Sequence, residues 1–365
     1  MDILGLTSIQ LILFFILYGI TGVVPLIAAL YLLLRRGNAF APGITPPIRL
    51  RRWTAAFFAF ASLTHVWWLQ FYIYSGSPYS VGYLIIVMLD CIVLFSTFTG
   101  MLLSMLQDRR RPVWPAMVGL IPFVALGVAF MVWPNELLID LAGTYLLVLS
   151  LLFTGYMVFA IRQYERWLND NYADLENKKV WLSQTVALVS MLLFALYVLA
   201  TDMILICLAH VVVLVLIALL LWRVETLPEL EDKTETLEPS TPITLWRESG
   251  SESLAGIEQL LKEHCVAPQL YLQHDLTLQQ LAQAVGTNRS YLSQYFSRQG
   301  ITYNTYINNL RINHFIERYQ ELAAARQPII AQQLAQESGF RSYRTFSRAF
   351  MQRTGQSVTA WTSDI

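Results

Sequence analysis

From Thr7 to Trp222 the chain alternates long apolar runs with short polar breaks. The runs are Thr7–Leu34, Trp53–Tyr74, Ser80–Leu106, Val113–Val132, Leu137–Ile161, Val180–Ala200 and Asp202–Trp222. Each is about as long as an α-helix must be to cross a hydrocarbon core of about 30 Å with its backbone groups bonded internally. The last two runs meet at "LATDMI". Fused into one helix they would reach roughly 65 Å, about twice the core, so a tight hairpin at Thr201 and Asp202 is expected. The first run is expected to stay in place rather than act as a cleaved leader, because "MDILGLTSIQ" lacks a basic start and the run far exceeds a leader's apolar region.

Beyond Trp222 the pattern changes twice. The stretch "VETLPELEDKTETLEPSTPITL" sets six acids among prolines and hydroxyl residues. With little to bury, it predicts a solvated tether. Apolar residues then return at helical spacing: Ile257, Leu260 and Leu261; Leu278, Leu281, Ala282 and Val285; Leu292, Tyr295 and Phe296. Thr277 and Gln280 form a capping-box start, and "VGTN" combines a glycine stop with an asparagine cap for the next helix. Helix, short turn and helix is thus expected from spacing alone. The motif repeats in "IIAQQLAQESGF" and "RSYRTFSRAFMQRTG", where Phe346 and Phe350 face inward. Between the two lies "YNTYINNLRINHFIERYQ", with Tyr303, Ile307 and Leu310 on one side, as a connecting helix requires. The predicted fold is all-α: a seven-helix bundle over 1–223, a tether over 224–248 and a double helix-turn-helix domain over 249–365.

Charge placement orients the bundle. Arg35, Arg36, Arg49, Arg51 and Arg52 fall in the first connection, Arg109, Arg110 and Arg111 in the third, and Arg162, Arg166, Lys178 and Lys179 in the fifth. The even-numbered connections and the N-terminal tail carry no Lys or Arg. Basic loops stay on the cytoplasmic side, which puts the N-terminus outside and everything after Arg223 inside. The formal net charge of the whole chain is +0. Residues 266–365, however, hold nine arginines, no lysine and five acids, and most of the arginines lie on or beside the two candidate reading helices. Arginine, serine and amide side chains there suit phosphates and base edges in a major groove.

At these residues the chain resembles the AraC family of bacterial transcription regulators. The resemblance covers roughly Gly256 to Trp361 and rests on "LTLQQLAQAVGTNRSYLSQYF", "YINNLRI" and "SGFRSYRTFSRAFMQRTG" in that order. It implies two helix-turn-helix units joined by a long helix. It also implies DNA contact by Arg289, Ser290, Ser293 and Gln294 from the first unit, and by Tyr343, Arg344, Ser347 and Arg348 from the second. The chain departs from the family pattern at Val358, where Pro is usual, at Thr362, where Arg is usual, and at Ala331, where a larger aliphatic is usual.

Three polar residues inside the apolar runs, His65, Asp90 and His210, are candidates for sensing a signal, because such groups are costly in a bilayer. Helix-to-helix hydrogen bonds are the plainer use of the same residues. Cys91, Cys207 and Cys265 lack metal or redox spacing and read as packing residues. No HExxH, GxxxxGK[ST] or GxSxG pattern occurs, so neither an enzyme nor a metal or other cofactor is expected. The expected partners are promoter DNA, the lipid bilayer, an unidentified signal ligand and, as an open alternative, a second copy of the chain. The expected location is the bacterial inner membrane, crossed several times. Two alternatives remain at this level: a transporter or membrane enzyme with a regulatory DNA-binding tail, and a regulator released by proteolysis in the tether.

Overall fold

A computed structural model describes residues 8–35, 38–74, 81–175, 178–197, 203–230 and 252–363. The chain divides into two units. The first comprises residues 1–164 and 179–231; the second comprises 165–178 and 232–365. All elements of any length are helical, and the described residues form no strand beyond one isolated bridge.

The first unit contains α1 (Ser8–Leu34), α2 (Ile48–Tyr74), α3 (Val81–Ser104), α4 (Trp114–Val118), α5 (Ile121–Val132), most of α6 (Glu136–Asn171), α7 (Trp181–Tyr197) and α8 (Met203–Thr226). Helix α1 packs on α2 and α8, α2 on α3, and α7 on α8. Five stretches among the described residues are long and apolar enough to cross a membrane: Ile12–Leu34, Leu84–Ser104, Trp114–Val132, Glu136–Asn171 and Cys207–Thr226. Helix α2 opens on Arg49, Arg51 and Arg52, and 17 residues of α7 are described, so these two fall outside that set. The hairpin expected at Thr201–Asp202 lies outside the described residues.

The expected fourth run is two helices in tandem rather than one. Pro122 has no N–H to give to the preceding turn, and Pro115 and Pro122 each occupy the first turn of their helix. The Gly119 carbonyl at the break accepts the Tyr145 hydroxyl at 2.6 Å. Helix α6 in turn outruns its expected end at Ile161. Its 36 residues would measure about 54 Å, because Tyr164 and Leu168 continue the apolar stripe and are fully buried.

The first unit is apolar outside as well as inside, with a few polar groups among its buried residues. Ile27, Leu34 and Leu152 are 61%, 76% and 67% exposed, while Thr21, Thr54, Thr99 and Gln184 are buried. The Thr21 and Thr54 hydroxyls bond back to their own helices, at the Leu17 carbonyl at 2.8 Å and the Leu50 carbonyl at 2.9 Å, and Gln184 donates to the Leu102 carbonyl at 2.9 Å. The basic connections are tied to helix ends. Arg51 donates to the Leu32 carbonyl at 2.6 Å, at the C-terminal turn of α1 where carbonyls lack helical partners. Arg111 is buried in an ion pair with Asp108, and its own carbonyl accepts from Arg49 at 2.8 Å.

Residues 224–230, expected to open a solvated tether, belong to the first unit. Helix α8 runs through Thr226, and the chain after it is strapped to the first unit. Glu225 accepts from the Tyr31 hydroxyl at 2.9 Å and the Ala39 amide at 3.1 Å. Gln107 donates to the Pro228 carbonyl at 3.1 Å and accepts from the Leu230 amide at 2.8 Å.

The second unit holds α9 (Glu252–Leu261), α10 (Leu278–Val285), α11 (Arg289–Arg298), α12 (Tyr303–Ala324), α13 (Ala331–Glu337), α14 (Tyr343–Thr354) and α15 (Val358–Ser363). A π turn and a 3₁₀ turn lie between α9 and α10. Helix α12 threads two cores. Its first half gives Tyr303 and Ile307 to the core under α10 and α11; its second half gives Ile312 and Phe315 to the core under α13 and α14. Between the cores Arg311 is buried, donating to the carbonyls of Tyr271 at 2.7 Å and Gln273 at 2.6 Å. Its guanidinium also lies over the Phe340 ring at 5.7 Å.

Gly339 ends α13 at φ 90°, and a Cβ there would come within 2.9 Å of both Arg311 Nε and the Leu272 backbone. Gly286 ends α10 at φ 77° with open space around it. Gly339→Ala is therefore expected to cost both conformational strain and displaced backbone, about 2 kcal/mol or more, and Gly286→Ala about 1 kcal/mol from strain alone. Hydrogen exchange of α12–α14 amides in the full chain would rank the two variants; equal protection in both would refute the crowding argument.

Candidate nucleic-acid interface

Local sequence sets each reading helix. In the first unit, Thr277 accepts from the Gln280 amide at 3.2 Å while the Gln280 side chain accepts from the Thr277 amide at 2.9 Å, the capping box expected of this spacing. Gly286 turns the chain out of α10 in a left-handed conformation. Asn288 then caps α11, its side chain accepting from the Tyr291 amide at 2.8 Å. Leu292, Tyr295 and Phe296 point into the core, so the opposite face of α11 is committed outward. Ser290 and Gln294 are exposed there and Ser293 is half-buried.

The second unit repeats the logic with different residues. Ser342 caps α14 through the Thr345 amide at 3.3 Å. Phe346 and Phe350 are fully buried and hold the helix against Phe315, the nearest ring pair having its centroids 4.4 Å apart. Tyr343, Arg344 and Arg348 are exposed and Ser347 is half-buried. Val358, where the resemblance leads one to expect proline, starts α15 and is itself buried. Trp361 closes this core against Tyr319 at 5.2 Å and Phe350 at 5.5 Å. Ala331 and Trp361 both pack at the edge of the core.

The two outward faces are carried by one scaffold. Helix α12 has 22 residues and so measures about 33 Å, close to the 34 Å that separates successive turns of a major groove. Burial pushes Arg311 down to about 10, and nearby Tyr303, Asp174 and Asp275 act in the opposite direction. The cation that joins the two halves is thus a structural group, while Arg344 and Arg348 remain at the surface. Arg341, also outward on the sequence pattern, meets Asp275 at 3.4 Å in an exposed pair of little energetic weight.

Arg289 differs from the other seven DNA-contact candidates. It is half-buried, and its Nε donates to Asn171 Oδ1 at 2.8 Å. The acceptor belongs to the end of α6, whose residues from 165 onward are part of this second unit. Three further contacts fix that segment. Ala173 is fully buried in the core under α10 and α11. Tyr172 forms an antiparallel bridge with Thr277, and the Ala173 amide reaches the Leu276 carbonyl at 3.4 Å. Asn304 of α12 donates to the carbonyls of Tyr172 at 3.1 Å and Ala173 at 2.7 Å. Sequence reasoning missed Asn171, Ala173 and Asn304. The available signal was the continuation of the α6 stripe through Tyr164 and Leu168 into a supposed loop.

Of the three polar candidates in the apolar runs, two come together. His65 and His210 face each other with ring centroids 6.4 Å apart, and Tyr18 stacks on His65 at 4.8 Å. His65 Nδ1 lies 2.8 Å from the Ala61 carbonyl, so that nitrogen carries a proton, and Nε2 meets the Thr21 hydroxyl at 3.0 Å. Asp90 instead accepts from the indoles of Trp67, at 2.7 Å, and Trp68. Among the described residues no group of three or more His, Cys, Asp or Glu could hold a metal ion.

A family model described as a helix-turn-helix domain matches residues 281–364, from within α10 to the end of α15. No curated protein matches the chain, and no solved structure does. The match covers both outward helices, and the C-terminal unit is a DNA-binding domain of the kind that transcription regulators carry.

Arg344→Ala and Arg348→Ala are each expected to lower the slope of log affinity against log salt by about one, the signature of a lost phosphate contact. The measurement is a salt titration of the full chain in lipid nanodiscs with a duplex selected by it from a random-sequence library. Slopes identical to the parent's would remove these residues from the interface.

Proposed function

We propose that the chain is a transcription regulator embedded in the bacterial inner membrane, with residues 249–365 on the cytoplasmic side. In this reading seven segments cross the bilayer, with α4 and α5 counted as one crossing and α2 and α7 completing the set. The carrying observation is the apolar exterior of the first unit, where large aliphatic side chains such as Ile27, Leu34 and Leu152 face outward. Such a surface is stable against hydrocarbon and costly against water. The arginine-rich connections give the direction, because all twelve basic residues of the connections lie in the odd-numbered ones.

DNA contact is made by Arg289, Ser290, Ser293 and Gln294 from α11 and by Tyr343, Arg344, Ser347 and Arg348 from α14. The His65–His210 pair with Thr21 and Tyr18, and Asp90 between two indoles, are the groups through which a signal would act. A proton at His65 Nε2 would turn that nitrogen from acceptor to donor toward Thr21, a ligand there would displace the contact, and either would bias the packing of α1 against α2.

Single cysteines at Ser77 and Asn135 in a background lacking the native three should react with an impermeant maleimide from outside intact cells. One at Arg110 should react only after permeabilisation. The opposite pattern would invert the topology and place the DNA-binding unit where there is no DNA.

A further inference from the structure

Residues 165–178 are encoded in the middle of the apolar half, yet they complete the core of the first helix-turn-helix unit. They also occupy the N-terminal end of α11 through Asn171 and Arg289. We propose that this segment is an inhibitory clasp: while docked, it holds Arg289 off DNA and screens the start of the reading helix. Movement of α6 would then release it.

Three observations carry the direction of the effect. Arg289 is the one DNA-contact candidate whose side chain is engaged by another part of the chain, and the acceptor Asn171 is itself buried and anchored to the Trp167 carbonyl at 2.6 Å. The segment contains four acids against two bases, so it adds negative charge beside a surface meant for phosphates. Its contacts are in large part polar: the bridge, the Ala173 amide to Leu276 carbonyl bond, the two Asn304 bonds and the Arg289 bond lie beside the buried Ala173 and Asp174. Polar contacts of that kind exchange for water at modest net cost. The mechanical input is covalent, since α6 is one helix from Glu136 to Asn171 and residues 136–164 belong to the apolar unit.

The inference rests on the DNA-binding reading of α11, and its test separates the two. Tyr172 and Thr277 are bridge partners, and the Ala173 amide to Leu276 carbonyl bond marks them as a non-hydrogen-bonded pair. Such pairs approach to about 4.5 Å between Cα atoms, within the span of a disulfide. A Tyr172→Cys/Thr277→Cys chain in nanodiscs should bind the selected duplex weakly when oxidised. Reduction should raise its affinity on the order of tenfold at 50 mM salt, with a salt slope steeper by about 0.9, the share of one phosphate contact. Asn304→Ala, which removes both side-chain bonds to the clasp and leaves the α10 cap intact, should shift affinity and slope in the same direction without any reagent. If the oxidised and reduced forms bind equally and Asn304→Ala matches the parent, the clasp is not inhibitory, although the domain still binds DNA. If no form binds any duplex, the DNA-binding reading falls and the clasp with it.

Discussion

A buried guanidinium that donates to backbone carbonyls is the constraint on which the second unit depends. Arg311 reaches Tyr271 and Gln273 in the segment leading to α10 and lies over Phe340 in the turn leading to α14. Carbonyl oxygens turned inward in this way would be expensive without a donor, and a buried cation would be expensive without acceptors. Each satisfies the other. The result is a pin through the middle of α12 that relates the two helix-turn-helix halves, so that α11 and α14 are carried on one scaffold. Gly339 belongs to the same constraint, since its missing side chain leaves room for the pin.

The first unit solves the opposite solvation problem. With apolar side chains outside, its interior is knit by hydroxyl-to-carbonyl bonds within helices and by a few cross-helix contacts such as Gln184 to Leu102. Its polar investments are concentrated at the basic connections. Arg51 closes the end of α1, Arg111 pairs with Asp108, and Gln107 with Glu225 holds the chain that leaves α8. The arginines of the basic connections are therefore fasteners, a role that follows from a delocalised cation with many donors, stable beside carbonyls and carboxylates.

Much of this was legible in the chain itself, for physical reasons that differ from place to place. Capping residues act within three positions, so Thr277, Asn288 and the glycine stops could be read directly, as could the inward Phe346 and Phe350. Hydropathy marks long apolar stretches but not breaks in them, which is why Pro115 and Pro122 divided an expected single helix. The hairpin at Thr201–Asp202 is not among the described residues. The role of Asn171, Ala173 and Asn304 was illegible because it comes from pairing residues more than 100 positions apart, on segments whose own patterns point elsewhere. His65 and His210 were each visible as misplaced polar groups; their meeting with Thr21 and Tyr18 needed the helix packing.

The burial of Ala173 makes the DNA-binding domain discontinuous along the chain: a piece from before residue 179 fills a core otherwise built after residue 251. A cut in the acidic stretch after α8 would break one covalent link and leave the contacts of Ala173 in place. The C-terminal fragment left by such a cut would still bury Ala173, and leaving would uncover the apolar surface that Ala173 now fills. Separation of the two pieces is thus a dissociation event rather than a cleavage event, and its rate belongs to the contacts around that alanine.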